Sequence, residues 1–231
     1  MTRERAEFDA LVDSYDEELR RGMALSGETP DFYAGGRVSF LCSCLRELGH
    51  RPDAVLDYGC GMGATSIHLA RQLAPATVVG VDESGESVKR AARDFGTTAR
   101  FLSLQELPPE PTFDLVYCSG VFHHIQPDQR PATLAYLDAR MRPGSIFALW
   151  ENNPWNPAIT MTMNRSPIDR NAVKVPAPEA GRLVRSAGFE LLRTDFLFYF
   201  PRALARLRVM EPALRKLPLG AQYQVLCRKP V

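Results

Sequence analysis

One stretch constrains the fold more than any other: Val55-Leu56-Asp57-Tyr58-Gly59-Cys60-Gly61-Met62-Gly63. An apolar run ends in an acid, glycines alternate through a turn, and Ala64 to Ala70 continue as a helix. A strand, a glycine loop and a helix in that order let a ligand lie against bare backbone, because glycine has no Cβ to hold it off. A second apolar run, Thr77 to Val81, ends in Asp82. A carboxylate at the end of a second strand suits a ribose, whose two hydroxyls can donate to it. These features predict a nucleoside-containing cofactor at the carboxyl ends of parallel strands.

The glycine spacing narrows the cofactor. A dinucleotide fingerprint reads G-x-G-x-x-G and brings a helix N-terminus to a pyrophosphate. Here the spacing is G-x-G-x-G, with Asp57 two residues before the first glycine. An acid there repels a pyrophosphate but accepts hydrogen bonds from an ammonium group. Val55 to Gly63, Gly80-Val81-Asp82 and Phe113-Asp114-Leu115-Val116 together resemble the class I S-adenosylmethionine-dependent methyltransferases of small molecules. The resemblance runs from about Tyr15 to the C-terminus and does not specify a substrate.

The pattern along the chain agrees with an α/β domain. Strands are expected at 54–57, 77–82, 99–102, 113–118, 145–150, 190–198 and 222–228, with helices at 63–73, 84–94, 127–141 and 177–187 between them. Such alternation predicts a doubly wound, mostly parallel sheet with helices on both faces. The resemblance implies the strand order 3-2-1-4-5-7-6 with strand 7 antiparallel. A single domain of 231 residues is expected. It divides into an N-terminal helical cap over 1–50, a cofactor core over 51–150, an insertion after strand 5 over 151–176, and the rest of the sheet over 177–231. The insertion is rich in proline and asparagine and resists regular assignment, which reads as a substrate cover. Asp31 is the expected cap of the second N-terminal helix, and Arg202 to Arg208 look like an amphipathic helix with a solvated basic face.

The resemblance and the residue chemistry together assign roles. Asp57 is the expected partner of the cofactor's ammonium, and Gly59, Cys60, Gly61 and Gly63 form the loop its methionine part approaches. Asp82, with Glu83 and Ser84 beside it, is expected at the ribose. Ser103 and Leu104 flank the adenine, although many relatives carry an Asp–Ala pair there, and Cys118 and Ser119 face the cofactor. Tyr15 covers the sulfonium end, an electrostatically favourable place for an aromatic face. Tyr33 is expected beside the cofactor, and Arg37 at its carboxylate.

His123 and His124 follow strand 4 directly. Histidine can take a proton from an oxygen or nitrogen nucleophile near neutrality. His124 is preferred as a general base; the other possibility is an imidazole that braces the loop. Glu151, Asn152 and Asn153 end strand 5 and are expected to point into one crevice around a polar acceptor, with Trp150 and Trp155 as its walls. Pro167-Ile168-Asp169-Arg170-Asn171 resembles a segment of some bacterial relatives and otherwise reads as a turn with a surface Asp–Arg pair. No acid–histidine cluster has metal-ligand spacing along the chain, so no metal is expected.

Composition limits the partners. The net charge is +1, which gives no general case for nucleic acid or an anionic membrane. Residues 1–31 nevertheless hold nine acids against four bases, and residues 201–231 hold seven bases against one acid. No apolar run approaches the roughly 18 residues of a membrane span. Five cysteines without a disulfide-like framework, and a charged start with no apolar signal region, suit a cytoplasmic protein. The leading expectation is methyl transfer from S-adenosylmethionine to an oxygen, then nitrogen or carbon, of a small molecule. The rivals are a cofactor-binding protein of the same fold without methyl transfer, cyclase-like or regulatory, and a methyltransferase acting on protein or nucleic acid. An N-P-P-Y-type tetrapeptide, used on planar amino groups of bases, is absent after strand 4.

Overall fold

The computed structural model describes residues 26–110, 112–166 and 169–231. The helices expected over 3–25, and Tyr15 with them, lie outside the described residues. Seven strands form one sheet: β1 (Ala54–Tyr58), β2 (Thr77–Asp82), β3 (Arg100–Ser103), β4 (Phe113–Ser119), β5 (Met141–Asn152), β6 (Glu190–Leu197) and β7 (Gln222–Arg228). The order is β3-β2-β1-β4-β5-β7-β6. β1 to β5 pair in parallel, and β7 runs antiparallel to both β5 and β6. This is the doubly wound sheet expected from the sequence.

Alternation along the strands divides the core between two faces. On one face Val55, Leu115, Tyr117, Ile146, Ala148 and Trp150 pack beneath helix α1 (Pro30–Glu47) and helix α2 (Ala64–Leu73). On the other, Leu56, Val116, Phe147 and Leu149 meet Leu134 and Leu137 of α4 (Arg130–Asp138) and Ala180 and Val184 of α6 (Ala177–Ser186). Helix α3 (Gly85–Phe95) packs on β2 and β3. β1 is buried at all five positions, the pattern of a central parallel strand covered on both sides.

Helix α1 is capped by Thr29, not by Asp31. The Thr29 hydroxyl accepts from the Phe32 N–H at 3.2 Å, and Pro30 fills the first turn, where no N–H is needed. Asp31 instead meets His68 Nε2 of α2 at 2.8 Å. Glycine brings the two helices close, because a Cβ on Gly35 would stand 3.1 Å from His68 Cε1.

Two segments differ from expectation. β5 extends to Asn152, and the 151–176 insertion contains helix α5 (Pro157–Arg165). Asn156 accepts from the Ala158 and Ile159 N–H groups, and Pro157 follows at the first helical position, so the proline marks a helix start. Residues 202–210 form 3-10 turns broken at Leu204, before the short helix α7 (Glu211–Leu214). The apolar residues Leu204, Leu207 and Met210 recur every three positions, which is the 3-10 period, and all three are exposed.

Candidate active site

The glycine turn lies between the ends of β1 and β2. Gly59, Gly61 and Gly63 adopt φ of +72°, +52° and +84°. Their surroundings differ. A Cβ on Gly59 would stand 2.2 Å from Val121 Cγ2, and one on Gly63 would stand 2.8 Å from the Phe101 ring. Among the described residues, a Cβ on Gly61 would meet nothing within 4 Å. Gly59 and Gly63 therefore serve close packing, and Gly61 presents bare backbone to an open space.

Two carboxylates frame that space. Asp82 accepts from the Gly61 N–H at 2.8 Å and the Ser84 N–H at 2.9 Å, so it holds the turn in shape. Asp57 is buried, and among the described residues its one hydrogen bond comes to Oδ2 from Ser66 Oγ at 2.6 Å. Burial pushes its pKa up to about 7, against the opposing pull of Ser66 and Arg37. A buried carboxylate with an oxygen to spare, beside exposed glycine backbone, fits an ammonium-bearing group.

Helix α1 contributes Arg37, whose Nε donates to Tyr117 Oη at 3.0 Å and whose Nη1 donates to Gln222 Oε1 at 3.1 Å. Those bonds fix the guanidinium at the strand ends beside Asp57. Tyr33 packs edge-on against Phe198 at 4.9 Å, within an aromatic cluster that includes Phe32. Phe198 carries a positive φ of +61°, and a Cβ on Gly36 would stand 2.9 Å from its ring. Ser103 is engaged by Glu106, which accepts from both its N–H and its hydroxyl at 2.8 Å. The Leu104 carbonyl accepts from Tyr136 Oη at 2.9 Å. The Cys60 and Cys118 side chains turn into the core, so only their backbone borders the turn. Glu83 is exposed and Ser119 half-buried at the strand ends.

A second group of side chains gathers after β4. His123 is buried, and its Nδ1 lies 2.5 Å from Glu151 Oε2. Glu151 Oε1 accepts from the Phe122 N–H at 2.8 Å. His123 Nε2 lies 3.3 Å from Asp169 Oδ1, and His124 Nε2 lies 3.8 Å from the same oxygen. The two rings are 4.1 Å apart. Burial alone would lower the His123 pKa, but Glu151 and Asp169 outweigh it and raise the pKa well above the usual histidine range. Burial and the neighbouring His123 lower that of His124.

Several expectations for this region need correction. Glu151 does not face an acceptor: it is 2% exposed and spends both oxygens on the Phe122–His123 turn, which makes it a positioning residue. Strand alternation sends Asn152 to the opposite face, where its Oδ1 accepts from Gln222 Nε2 at 3.2 Å. Asn153 is fully buried, donates to the Pro218 and Gly220 carbonyls and accepts from the Trp155 N–H, so its amide is structural. Trp150 lies beneath α1 against Phe40 and walls no crevice, whereas Trp155 is 49% exposed. Asp169 is not a surface partner of Arg170 but reaches both histidines.

Sequence reasoning also missed Arg130. Its fully buried guanidinium donates to the carbonyls of Phe122, Ile125 and Val173 and pairs with Glu179 at 2.7 Å. With the Val173 N–H donating to the His123 carbonyl at 2.7 Å, it ties the return of the insertion to the histidine turn. The insertion also lines a groove of about 640 Å³. Among the described residues that line it, Arg165, Arg170 and Lys174 bring three positive charges, against Asp169 alone.

Comparison with known proteins agrees with this geometry. Residues 55–144 match a family described as a methyltransferase domain. An uncharacterized methyltransferase of Synechocystis is 30% identical over 178 residues, covering 74% of this chain and 82% of that protein. A trans-aconitate 2-methyltransferase of Deinococcus radiodurans is 36% identical over 102 residues, 43% of this chain and 38% of its own length. Magnesium protoporphyrin IX methyltransferase from Synechocystis, solved with bound S-adenosylmethionine, shares the fold with a TM-score of 0.62 at 19% identity, over 99% of this chain and 98% of that one. The glycine turn, the sheet order and these relatives together place the chain in the class I S-adenosylmethionine-dependent methyltransferases, enzymes with that cofactor.

Proposed function

We propose that the enzyme methylates an oxygen, most readily a carboxylate, of an anionic small molecule. The observation that carries this reading is the cationic groove lined by Arg165, Arg170 and Lys174, whose lining residue Asp169 lies 3.8 Å from His124 Nε2. A positive wall attracts and orients an anion, and alignment of the acceptor supplies much of the rate of a displacement. The name of the Deinococcus relative supports the reading, since aconitate is a carboxylate.

The cofactor, when bound, supplies an activated methyl group. This chain's residues do the rest. Asp57 receives the ammonium, Gly61 gives it backbone contact, Asp82 meets the ribose with Glu83 beside it, and Arg37 faces the carboxylate. Ser103 and Leu104 border the adenine, and Tyr33 of α1 belongs to the cap. A carboxylate acceptor arrives ionised, so no base has to remove a proton. His123 is held between two carboxylates and positions the turn; His124 faces the acceptor.

The test is methyl uptake from labelled S-adenosylmethionine across a panel of mono-, di- and tricarboxylates, phenols and amines. The expected products are base-labile methyl esters, with KM raised about 10-fold or more in Arg170→Ala and kcat little changed, as for loss of uniform binding. Uptake confined to amines or to neutral phenols would overturn the reading.

A further inference from the structure

We infer that His123, His124 and Asp169 form a site for one divalent cation of the zinc type, with Asp169 at the wall of the cationic groove. Three ligand atoms, two imidazole nitrogens and a carboxylate oxygen, lie within 4.8 Å of one another. Asp169 Oδ1 is 3.3 Å from His123 Nε2 and 3.8 Å from His124 Nε2. Metal bonds of about 2.0–2.2 Å in a tetrahedron set neighbouring ligand atoms about 3.3–3.5 Å apart. The two edges from Asp169 therefore lie at, or within a few tenths of an ångström of, that spacing, and the edge between the two imidazoles, within 4.8 Å, closes by rotation of the half-buried His124 ring. The chain spacing hides it, because Asp169 lies far along the sequence from the histidines and joins them only through the return of the insertion.

The surroundings of His123 match those of a metal ligand. Its Nδ1 is paired with buried Glu151 at 2.5 Å, and Glu151 is itself held by the Phe122 N–H. A carboxylate behind one ring nitrogen fixes the tautomer and turns the other nitrogen's lone pair to the ion. The ion binds the deprotonated Nε2, so a proton on that nitrogen leaves to solvent as the ion enters. Two imidazoles and one carboxylate suit zinc, cobalt or nickel better than magnesium or calcium, which favour all-oxygen shells. Three protein ligands also leave a tetrahedral vertex free. Asp169 lines the cationic groove, so that vertex would serve an acceptor oxygen. This use of the ion rests on the oxygen-acceptor reading; the site itself does not.

The experiment is titration of the chelator-treated full chain with Co²⁺, followed by its visible absorption. The expected result is saturation at one equivalent and reversal by Zn²⁺. His124→Ala and Asp169→Asn should each weaken Co²⁺ binding by at least about 10-fold, and Glu151→Gln by about 10–100-fold. Affinity for S-adenosylhomocysteine in His124→Ala reports that the fold is kept. No saturable absorption, or equal absorption in wild type and all variants, overturns the site, and methyl-ester formation would then still stand. Co²⁺ binding at this site in a protein that methylates only amines upholds the site and refutes the oxygen acceptor.

Discussion

Three glycines in one turn do different work, and substitution separates them. Gly59→Ala drives a Cβ to 2.2 Å from Val121 Cγ2 at a positive φ. Strain of about 1–2 kcal/mol from the left-handed backbone and about 1–3 kcal/mol from overpacking should appear in denaturant unfolding. Gly61→Ala meets no described residue within 4 Å, so among these residues only the backbone strain applies. Its main effect should be on calorimetric affinity for S-adenosylhomocysteine, weakened about 10-fold or more by an interposed methyl. A Gly61→Ala protein that binds normally would remove Gly61 from the proposed cofactor bed.

Asp57 carries a pH dependence. In the folded chain it keeps its proton up to about 7, because it is buried. In the unfolded chain it loses that proton near about 3.9. Between those values the folded state binds more protons, so this group's contribution falls as pH rises through the window and is gone above about 7. Asp57→Asn should flatten that slope in unfolding measured against pH. An ammonium ligand prefers the ionised form, so affinity for S-adenosylhomocysteine should rise from about pH 5.5 to about 7 in the wild type and stay level in Asp57→Asn. A parallel rise in both proteins would show that Asp57 does not receive the ammonium.

At the scale of elements, the regular repeats were legible and the long-range joins were not. The bounds of β2 and β7 agree with expectation to the residue, because apolar runs there stop at turn or charged residues. Helix α5 escaped, since a proline-rich stretch reads as loop unless Asn156-Pro157 is taken as a cap and first turn. The shared crevice expected for Glu151, Asn152 and Asn153 failed because adjacent strand residues face opposite ways, and β5 continues through two of them. Nothing local in the sequence joins Arg130 to Val173 or Asp169 to the histidines.

That anchoring is testable through Arg130. Its guanidinium reaches three carbonyls and a carboxylate from one plane, a geometry an ammonium cannot reproduce. Arg130→Lys should lower the unfolding free energy by about 2–4 kcal/mol. It should also raise the KM for the acceptor, with cofactor affinity little changed. A stability loss without any change in KM would detach the insertion from substrate binding.

Over the whole molecule, the sheet order places both candidate clusters at the carboxyl ends of β1, β4 and β5. Val121 bridges them by packing on Gly59, two residues before His123. The order was readable only through the family resemblance that the glycine turn, Asp82 and Phe113 to Val116 carry. The contribution of Tyr15 and the acidic N-terminal segment belongs to chain outside the described residues. Among the described residues no helix is long and apolar enough to cross a membrane.

The most direct measurement is calorimetric titration of the full chain with S-adenosylhomocysteine, wild type beside Asp82→Ala, with NAD as the control ligand. Asp82 accepts from the Gly61 N–H and stands where the ribose is proposed to lie. The account predicts binding of S-adenosylhomocysteine in the micromolar range and none of NAD. It also predicts an affinity in Asp82→Ala lower by about 10-fold or more, roughly 1.4 kcal/mol. Unchanged affinity in Asp82→Ala, or binding of NAD in place of S-adenosylhomocysteine, would contradict it.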